Sequence, residues 1–421
     1  MLILAIFVLG YLAIVFENQL RLNKTAAALL TGVLCWTAYV VGQDTHVVNE
    51  QLLHHFAGIS QIVFFLLGAM TIVELIDAHD GFELITSRIT TTNRRKLLVT
   101  ISVLAFVLSA VLDNLTTSIV MMSLVRKLAS SDVDRRYFGG IVIIAANSGG
   151  VWSPIGDVTT TMLWVGGQIT TTAIVTRVVL PALVSVLVPM LWISVRLRGE
   201  VERPPAASQL AAQPTTPFER KLVLVAGMGV LLFVPVFKTL THLPPVMGML
   251  LGLGVLWAVT EAIHTQKHDD GKGTLSVAGA LQRVDSPSVL FFLGILLAIG
   301  ALQSDGQLSA LARWLEQTIG NVDLITLTIG LSSSVVDNVP LVAAAQGMYS
   351  LETFATDHQF WLFLAYCAGT GGSILIIGSA AGIAVMGIQR ITFGWYVRHL
   401  SLPALFGYLA GAAVYLALAA L

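Results

Sequence analysis

The sequence predicts an all-α polytopic membrane protein built as two inverted repeats, each with five transmembrane helices, one of them broken, plus a re-entrant helical hairpin. Three observations carry that expectation. First, 56% of the 421 residues are hydrophobic and only 11% are charged, against about 25% charged in soluble proteins. Second, 20 of the 23 Lys and Arg residues fall into one alternating set of loops, the asymmetry expected of a polytopic chain with those loops in the cytoplasm. Third, two Asp-Asn pairs recur in apolar surroundings, in Ser109-Ala-Val-Leu-Asp113-Asn114 and Ser333-Ser-Val-Val-Asp337-Asn338. A carboxylate at the centre of a span costs about 2.5 to 3.5 kcal/mol on insertion scales, so its repetition argues for a bound ion or a watery pathway, and hence for transport.

The elements follow in order. Apolar runs at 1–16, 26–41 and 59–76 read as the first three spans. The first has no basic residue before it, and Arg21 and Lys24 follow it, so it is expected to be a retained helix and not a cleaved signal. Residues 97–126 have basic clusters at both ends and cannot be a single crossing, so they are predicted to form a hairpin with Asp113-Asn114 at its tip. A broken helix over 137–168 and a span over 172–195 complete the first repeat, residues 1–196. Four prolines, Pro204, Pro205, Pro214 and Pro217, mark residues 197–219 as a cytoplasmic linker. The second repeat, 220–421, has its hairpin at 321–350 and its broken helix at 359–388. An odd number of spans per half inverts the second against the first and puts both termini outside a cell (inner) membrane. The landmark pairs Phe64-Phe65-Leu66 with Phe291-Phe292-Leu293, and Asp80-Gly81 with Asp305-Gly306, keep nearly the offset of the Asp-Asn tips.

Each broken segment contains a hydroxyl residue, two glycines, five intervening residues, then a glycine and a polar residue: Ser148-Gly149-Gly150 to Gly156-Asp157, and Thr370-Gly371-Gly372 to Gly378-Ser379. Paired glycines and Pro154 interrupt a helix, and unwound backbone at membrane depth belongs where it is buried or lines a cavity. Ser153-Pro154 and Asn338-Val-Pro340 read as helix starts. The candidate ion- and proton-binding residues are Asp113, Asn114, Thr116, Thr117, Asn147, Ser148, Ser153, Asp157, Thr159, Ser333, Asp337, Asn338, Thr370 and Ser373. Na+ or Li+ is placed at Asp113, Asn114, Asn147 and Asp157, because carboxylate, amide and hydroxyl oxygens suit a small hard cation. A carboxylate withdrawn from water holds a proton or a metal ion but not both, which makes exchange the natural mechanism. The second half carries Ser379 where the first has Asp157, so the two half-sites are unequally acidic. Glu74 and His79 are candidates for pH sensing or gating.

Blander readings stand beside these. The aspartates could be helix caps or could pair with Arg177, the basic residue lying within a span; the asparagines and hydroxyls could cap half-helices; the glycines could serve close packing. Glu74, Asp77 and Glu261 could simply reach the headgroups. Cys35 and Cys367 exclude a disulfide framework, and the net charge of -1 and the lack of a basic, aromatic-interleaved patch give no sign of nucleic acid. No cofactor and no enzymatic chemistry are expected. An intramembrane aspartyl protease would need Gly-x-Gly-Asp, and here Gly156-Asp157 follows Pro154-Ile155. A coupled carrier of dicarboxylate or arsenite on the same fold would need a cation near the tips, which the sequence does not place there. A non-transporting scaffold leaves the duplicated polar breaks without an account.

The stretches Leu112-Asp113-Asn114-Leu115-Thr116-Thr117, Trp152-Ser153-Pro154-Ile155-Gly156-Asp157-Val158-Thr159-Thr160, Val336-Asp337-Asn338-Val339-Pro340 and Gly369-Thr370-Gly371-Gly372-Ser373 resemble the NhaD-type sodium/proton antiporters of the ion transporter superfamily. Thr71-Ile72-Val73-Glu74 with His79, and Asn23-Lys24, extend the resemblance, which covers most of the chain outside roughly 197–285. It implies a homodimer in membrane lipid, with a fixed scaffold and a moving transport domain, exchanging inorganic cations (Na+ or Li+) for H+.

Overall fold

In the computed structural model, residues 2–86, 89–204, 215–264 and 275–420 are described, and all regular structure among them is helical. The middle of the expected linker, including Pro205 and Pro214, lies outside the described residues, as do Arg88, Lys267 and Lys272.

The chain opens with α1 (Leu2–Val15), α2 (Lys24–Val40) and α3 (Thr45–Ala78). Asn23 and Asp44 start α2 and α3 by accepting the backbone N–H of Thr25 and His46. α3 extends well before the apolar run at 59–76, because its first turns carry His46, Asn49 and Glu50, which hid them from a hydropathy reading. At roughly 1.5 Å per residue it spans about 50 Å, more than a bilayer's hydrocarbon core.

Next come α4 (Arg94–Ser109) and α5 (Asn114–Leu128), which meet at Asp113 within the expected hairpin. In the first broken segment, α6 (Asp132–Gly150) and α7 (Val158–Val165) are separated by non-helical residues 151–157. α8 (Thr171–Arg196) follows, and after it the chain lies back across the helix ends. Arg94 N–H donates to Gly199 O and Ser130 N–H to Glu202 O, which pins the start of the linker. α9 (Pro217–Thr241) begins with a reciprocal capping box between Thr216 and Glu219, Pro217 occupying the first turn.

The remaining helices are α10 (Pro245–His264), α11 (Val277–Arg283), α12 (Ser286–Ser304), α13 (Gln307–Ile319), α14 (Val322–Ser332), α15 (Asn338–Met348), α16 (Gln359–Gly371), α17 (Ala380–Gln389) and α18 (Leu402–Ala419). Among the described residues, six helical stretches are long and apolar enough to cross a membrane: α3, α8, α9, α10, α12 and the continuous stretch Phe393–Ala419 that ends in α18. The protein is thus a multi-pass integral membrane protein.

The helices pack as two groups. In one, α2 lies against α1 and α12, and α3 against α9, α10, α11 and α12. In the other, α6 is the hub for α4, α5, α7's neighbour α16, α8 and α17, while α8 pairs along α18 and α14 along α16. α12 against α15 and α3 against α7 join the groups. The two interrupted segments form the centre of the second group. Every residue from Phe138 to Gly150 and from Phe360 to Gly371 is buried, which is why these stretches show no amphipathic period.

Glycine allows this packing where the hairpins press on the breaks. A Cβ on Gly149 would lie 2.2 Å from Phe106 O, and one on Gly371 only 1.9 Å from Gly330 O. In parallel, Ser109 Oγ donates to Ala146 O at 2.6 Å and Ser333 Oγ to Ala368 O at 2.7 Å. α4 is therefore tied to α6, and α14 to α16, by the same pair of devices.

Candidate functional site

Four helix N-termini meet at one buried cluster. Asn114 is the first residue of α5 and Asn338 of α15; Asp157 caps α7 and Ser379 caps α17. Half of these come from each end of the chain. Ordering so many polar groups inside protein is tolerable only if they satisfy one another, and here they do.

Asp157, 1% exposed, is the hub. Its Oδ1 accepts the Thr159 backbone N–H at 2.8 Å and the Thr159 hydroxyl at 2.7 Å. Its Oδ2 accepts Asn114 Nδ2 at 2.8 Å, and Asn338 Nδ2 stands 3.4 Å away. Asn114 Nδ2 also donates to Asn147 Oδ1 at 3.0 Å, and Asn147 Nδ2 donates at 2.9 Å to both Ser373 Oγ and Ser379 Oγ. Asn147 thereby joins residues from the two halves of the chain. The positive ends of the four half-helices favour negative charge here and offset part of what burial costs the carboxylate. Gly369 leaves room beside it: a Cβ there would stand 3.7 Å from Asp157 Oδ2 and 2.1 Å from Val151.

Other expected site residues are placed differently. Asp113 caps α5, accepting the backbone N–H and the hydroxyl of Thr116, and no hydrogen bond joins it to Asp157. Asp337 caps α15 through Val339 N–H at 3.4 Å, and Lys24 acts on it electrostatically. Ser148 pairs with Ser185 of α8, and the Thr370 hydroxyl turns back to Tyr366 O within its own helix. Ser333 holds the second hairpin, as above. The Thr117 hydroxyl is buried with no partner among the described residues. Ser153 does not open a helix as expected: α7 begins at Val158, because Asp157 supplies the capping carboxylate, and Ser153 Oγ accepts Ile155 N–H inside the turn. Arg177 reaches Asp357 O and neither aspartate of the first half.

Glu74 pairs with Arg283 at 3.5 Å. His79 is buried, its Nδ1 bound to Leu75 O and its Nε2 2.9 Å from His264 Nε2. Glu74 lines one of a set of neighbouring cavities, and His79 lines none of them. A pocket of about 230 Å³ lined by Asp77, Asp80, Glu83 and Lys127 adjoins one of about 340 Å³ lined by Lys24, Glu74, Asp77, Thr116 and Arg283. The latter shares Met70, Leu115 and Ser288 with a space of about 50 Å³ that reaches Asp113 and Asn114. These neighbouring cavities lead from the end of the molecule bearing Lys127 and Arg283 toward Asp113; the outer two carry the charged side chains, and the innermost is lined mostly by apolar groups such as Phe65, Leu66, Val111 and Phe292.

Among the described residues no three His, Cys, Asp or Glu side chains converge as a metal site. The groups that do converge are one carboxylate, the Asn147 amide oxygen, hydroxyls and the N–H donors of Asn114 and Asn338. Such a set suits a weakly held hard cation better than a resident transition metal.

Ser379 and Gly369 belong to the cluster without having been singled out as ligands by the sequence. Ser379 could have been found by its position in the repeated glycine frame, opposite Asp157. The Asn147 bridge carries no signal in the sequence, because its partners lie more than half the chain away.

The citrate transporter (CitMHS) family profile matches residues 11–361. The chain is 49% identical to sodium/proton antiporter 1 of Arabidopsis thaliana over 98% of its own length and 71% of that protein. It is 47% identical to sodium/proton antiporter 2 of the same plant, over 98% of both, and 30% identical to the Na(+)/H(+) antiporter NhaD of Vibrio cholerae over 94% of its length and 87% of that protein.

Proposed function

The chain belongs to the CitMHS family of ion transporters, alongside the NhaD Na+/H+ antiporters, and from that premise we propose that it exchanges Na+ or Li+ for H+ by alternating access. The observation that carries this reading is the Asp157 cluster: one buried carboxylate, ringed by amide and hydroxyl groups from both halves of the chain, with a cavity reaching its neighbours Asp113 and Asn114. In the present arrangement Asn114 and Asn338 turn N–H donors toward Asp157. A cation replaces those donors, and the amides rotate to offer oxygen. Protonation of Asp157 removes the charge that holds the ion and releases it. Asp113, toward which the cavities lead, receives the cation first.

Several features fit the same reading. The matched Ser109 and Ser333 bonds, the matched glycine contacts, and Asp157 and Ser379 capping corresponding half-helices all support an inverted repeat of five spans and a hairpin per half, divided near residues 197–219. The group around α6 is then the moving body and the group around α3 the scaffold, which in a homodimer would meet its copy. Placing the basic loops in the cytoplasm puts both termini outside a cell membrane and makes this conformation open inward.

Everted membrane vesicles carrying a pH gradient test the proposal. Added Na+ or Li+ is expected to collapse the gradient, and Asp157→Asn to abolish the response. A parent protein that gives no response at neutral or alkaline pH would rule it out. The family description keeps citrate as a second reading, and labelled citrate uptake by the same vesicles would establish it instead. Against it stands the carboxylate at the hub, which repels an anion.

A further inference from the structure

Lys238 and Arg313 are the two basic residues of the chain that fall in the loops opposite the basic set, and Lys238 has a specific partner. It lies in the last turn of α9, in the group around α3. Its Nζ donates to Trp164 O at 2.7 Å and sits 4.4 Å from the centre of the Trp164 ring. Trp164, 1% exposed, belongs to α7 in the other group, and its ring also meets the edge of Phe65 of α3 at 6.4 Å. The end of a moving half-helix is therefore held from two sides by the opposite group.

The chemistry of the contact is that of a C-terminal cap. Trp164 O is among the last carbonyls of α7; it accepts Gly167 N–H at 3.3 Å from the turn beyond the helix, and the shorter bond from the Lys238 ammonium also meets the negative end of the helix dipole. The other end of the same eight-residue helix carries Asp157 as its cap. At about 1.5 Å per residue the two ends are roughly 12 Å apart, joined by a rod too short to bend appreciably. Whatever holds Trp164 holds Asp157.

We infer that Lys238 and Phe65 form a socket for Trp164 that locks the ion-binding half-helix in the state open toward the basic loops, closing the route on the opposite face. The inference rests on the alternating-access reading. Phe65 lies toward the middle of α3, whereas Glu74 and Asp77, which line the open cavities, lie about two to three turns closer to its C-terminal end. Phe65 itself lines the small space that reaches Asp113 and Asn114, so the contact stands at the inner, closed end of the opening. Sliding of one helical group past the other must break the Lys238 bond, so Lys238 is a positioning residue that sets how much of the population faces inward.

Na+-driven flux in everted and in right-side-out vesicles tests this with Lys238→Met and Lys238→Arg. Losing a charged hydrogen bond of this kind should raise the half-saturating Na+ concentration on the cytoplasmic face by roughly five- to tenfold and lower it on the external face, while the Arg variant stays near the parent. A loss of folding alone would reduce the flux from both sides without opposite shifts. Opposite shifts establish the lock; unchanged values, or shifts of the same sign, overturn it. A second measurement does not need transport. With Cys35 and Cys367 replaced by Ala, an Ile383→Cys reporter in the open cavity is labelled with a charged maleimide from the cytoplasmic side. Slower labelling in the Lys238→Met background supports the lock, and equal or faster labelling refutes it. If the parent shows no Na+ flux, the antiport reading fails while the labelling still decides the role of Lys238.

Discussion

Asp157 and Asn338 separate what holds the resting cluster together from what holds an ion. The bonds from Asn114 and Thr159 to Asp157 are short, whereas Asn338 Nδ2 stands 3.4 and 3.5 Å from the two carboxylate oxygens, at the edge of useful hydrogen-bond geometry. Asn338→Ala should therefore change stability by less than about 1 kcal/mol. If its amide oxygen takes part in holding the cation, the same substitution should raise the half-saturating Na+ concentration tenfold or more. Flux titration together with thermal unfolding of the purified protein checks both halves. Asn147→Ala is the counterpart. It strands Asn114, Ser373 and Ser379 in a buried site, and should cost about 2 to 3 kcal/mol of stability as well as transport. At this scale the sequence was legible where chemistry is local. The Asp-Asn pairs and the Gly-Asp of the first break are visible because a carboxylate is conspicuous in an apolar run. Ser373 and Ser379 are visible only as members of the repeated glycine frame, and that both accept from Asn147 is not, since nothing in a serine's neighbours announces a partner so far along the chain.

The helices around the site are too short to be stable in isolation: α7 has 8 residues, α17 has 10, and α14 and α15 have 11 each. They persist because caps and close packing substitute for length. Gly371 shows how little slack there is, its missing Cβ leaving room for Gly330 O. Gly371→Ala forces two backbones apart and should lower stability by about 1 to 3 kcal/mol, while Gly387→Ala inside α17, where a Cβ meets nothing, should leave it unchanged or raise it by about 0.4 to 1 kcal/mol. Melting temperatures of the two variants in the same detergent make the comparison; equal losses would show that the close approach is not what the glycine serves. The repeated Gly-Gly frame was readable as a break, but where the helix resumes was not. Ser153-Pro154 has the right composition for a start, yet the turn continues to Asp157, because a carboxylate that caps α7 also completes the cluster. The polar first turns of α3 were missed for a related reason: a hydropathy window sees apolar runs, not helices.

At the scale of the whole molecule, the two helical groups and the cavity chain describe a protein whose stability is coupled to what it carries. A ligand that binds only the folded state adds RT ln(1 + [L]/Kd), about 2.7 kcal/mol at a hundredfold excess over Kd. Na+ should therefore raise the melting temperature of the purified protein, and K+ at equal ionic strength should not. The sign of the pH effect follows from competition for one carboxylate. With Asp157 as that carboxylate, protonation as pH falls is expected to weaken the apparent Na+ affinity and to shrink the stabilisation by a fixed Na+ concentration. For a single shared proton the half-effective Na+ concentration should rise about tenfold per pH unit on the acidic side and level off on the alkaline side, where the carboxylate is already free. Asp157→Asn should flatten both dependences. Asp113→Asn distinguishes two arrangements: if Asp113 only receives the ion, the slope survives with a weaker affinity, whereas if the two carboxylates share the proton the slope itself changes. A Na+ stabilisation that is indifferent to pH in the parent would separate cation binding from proton binding, and would remove the competition on which the exchange depends.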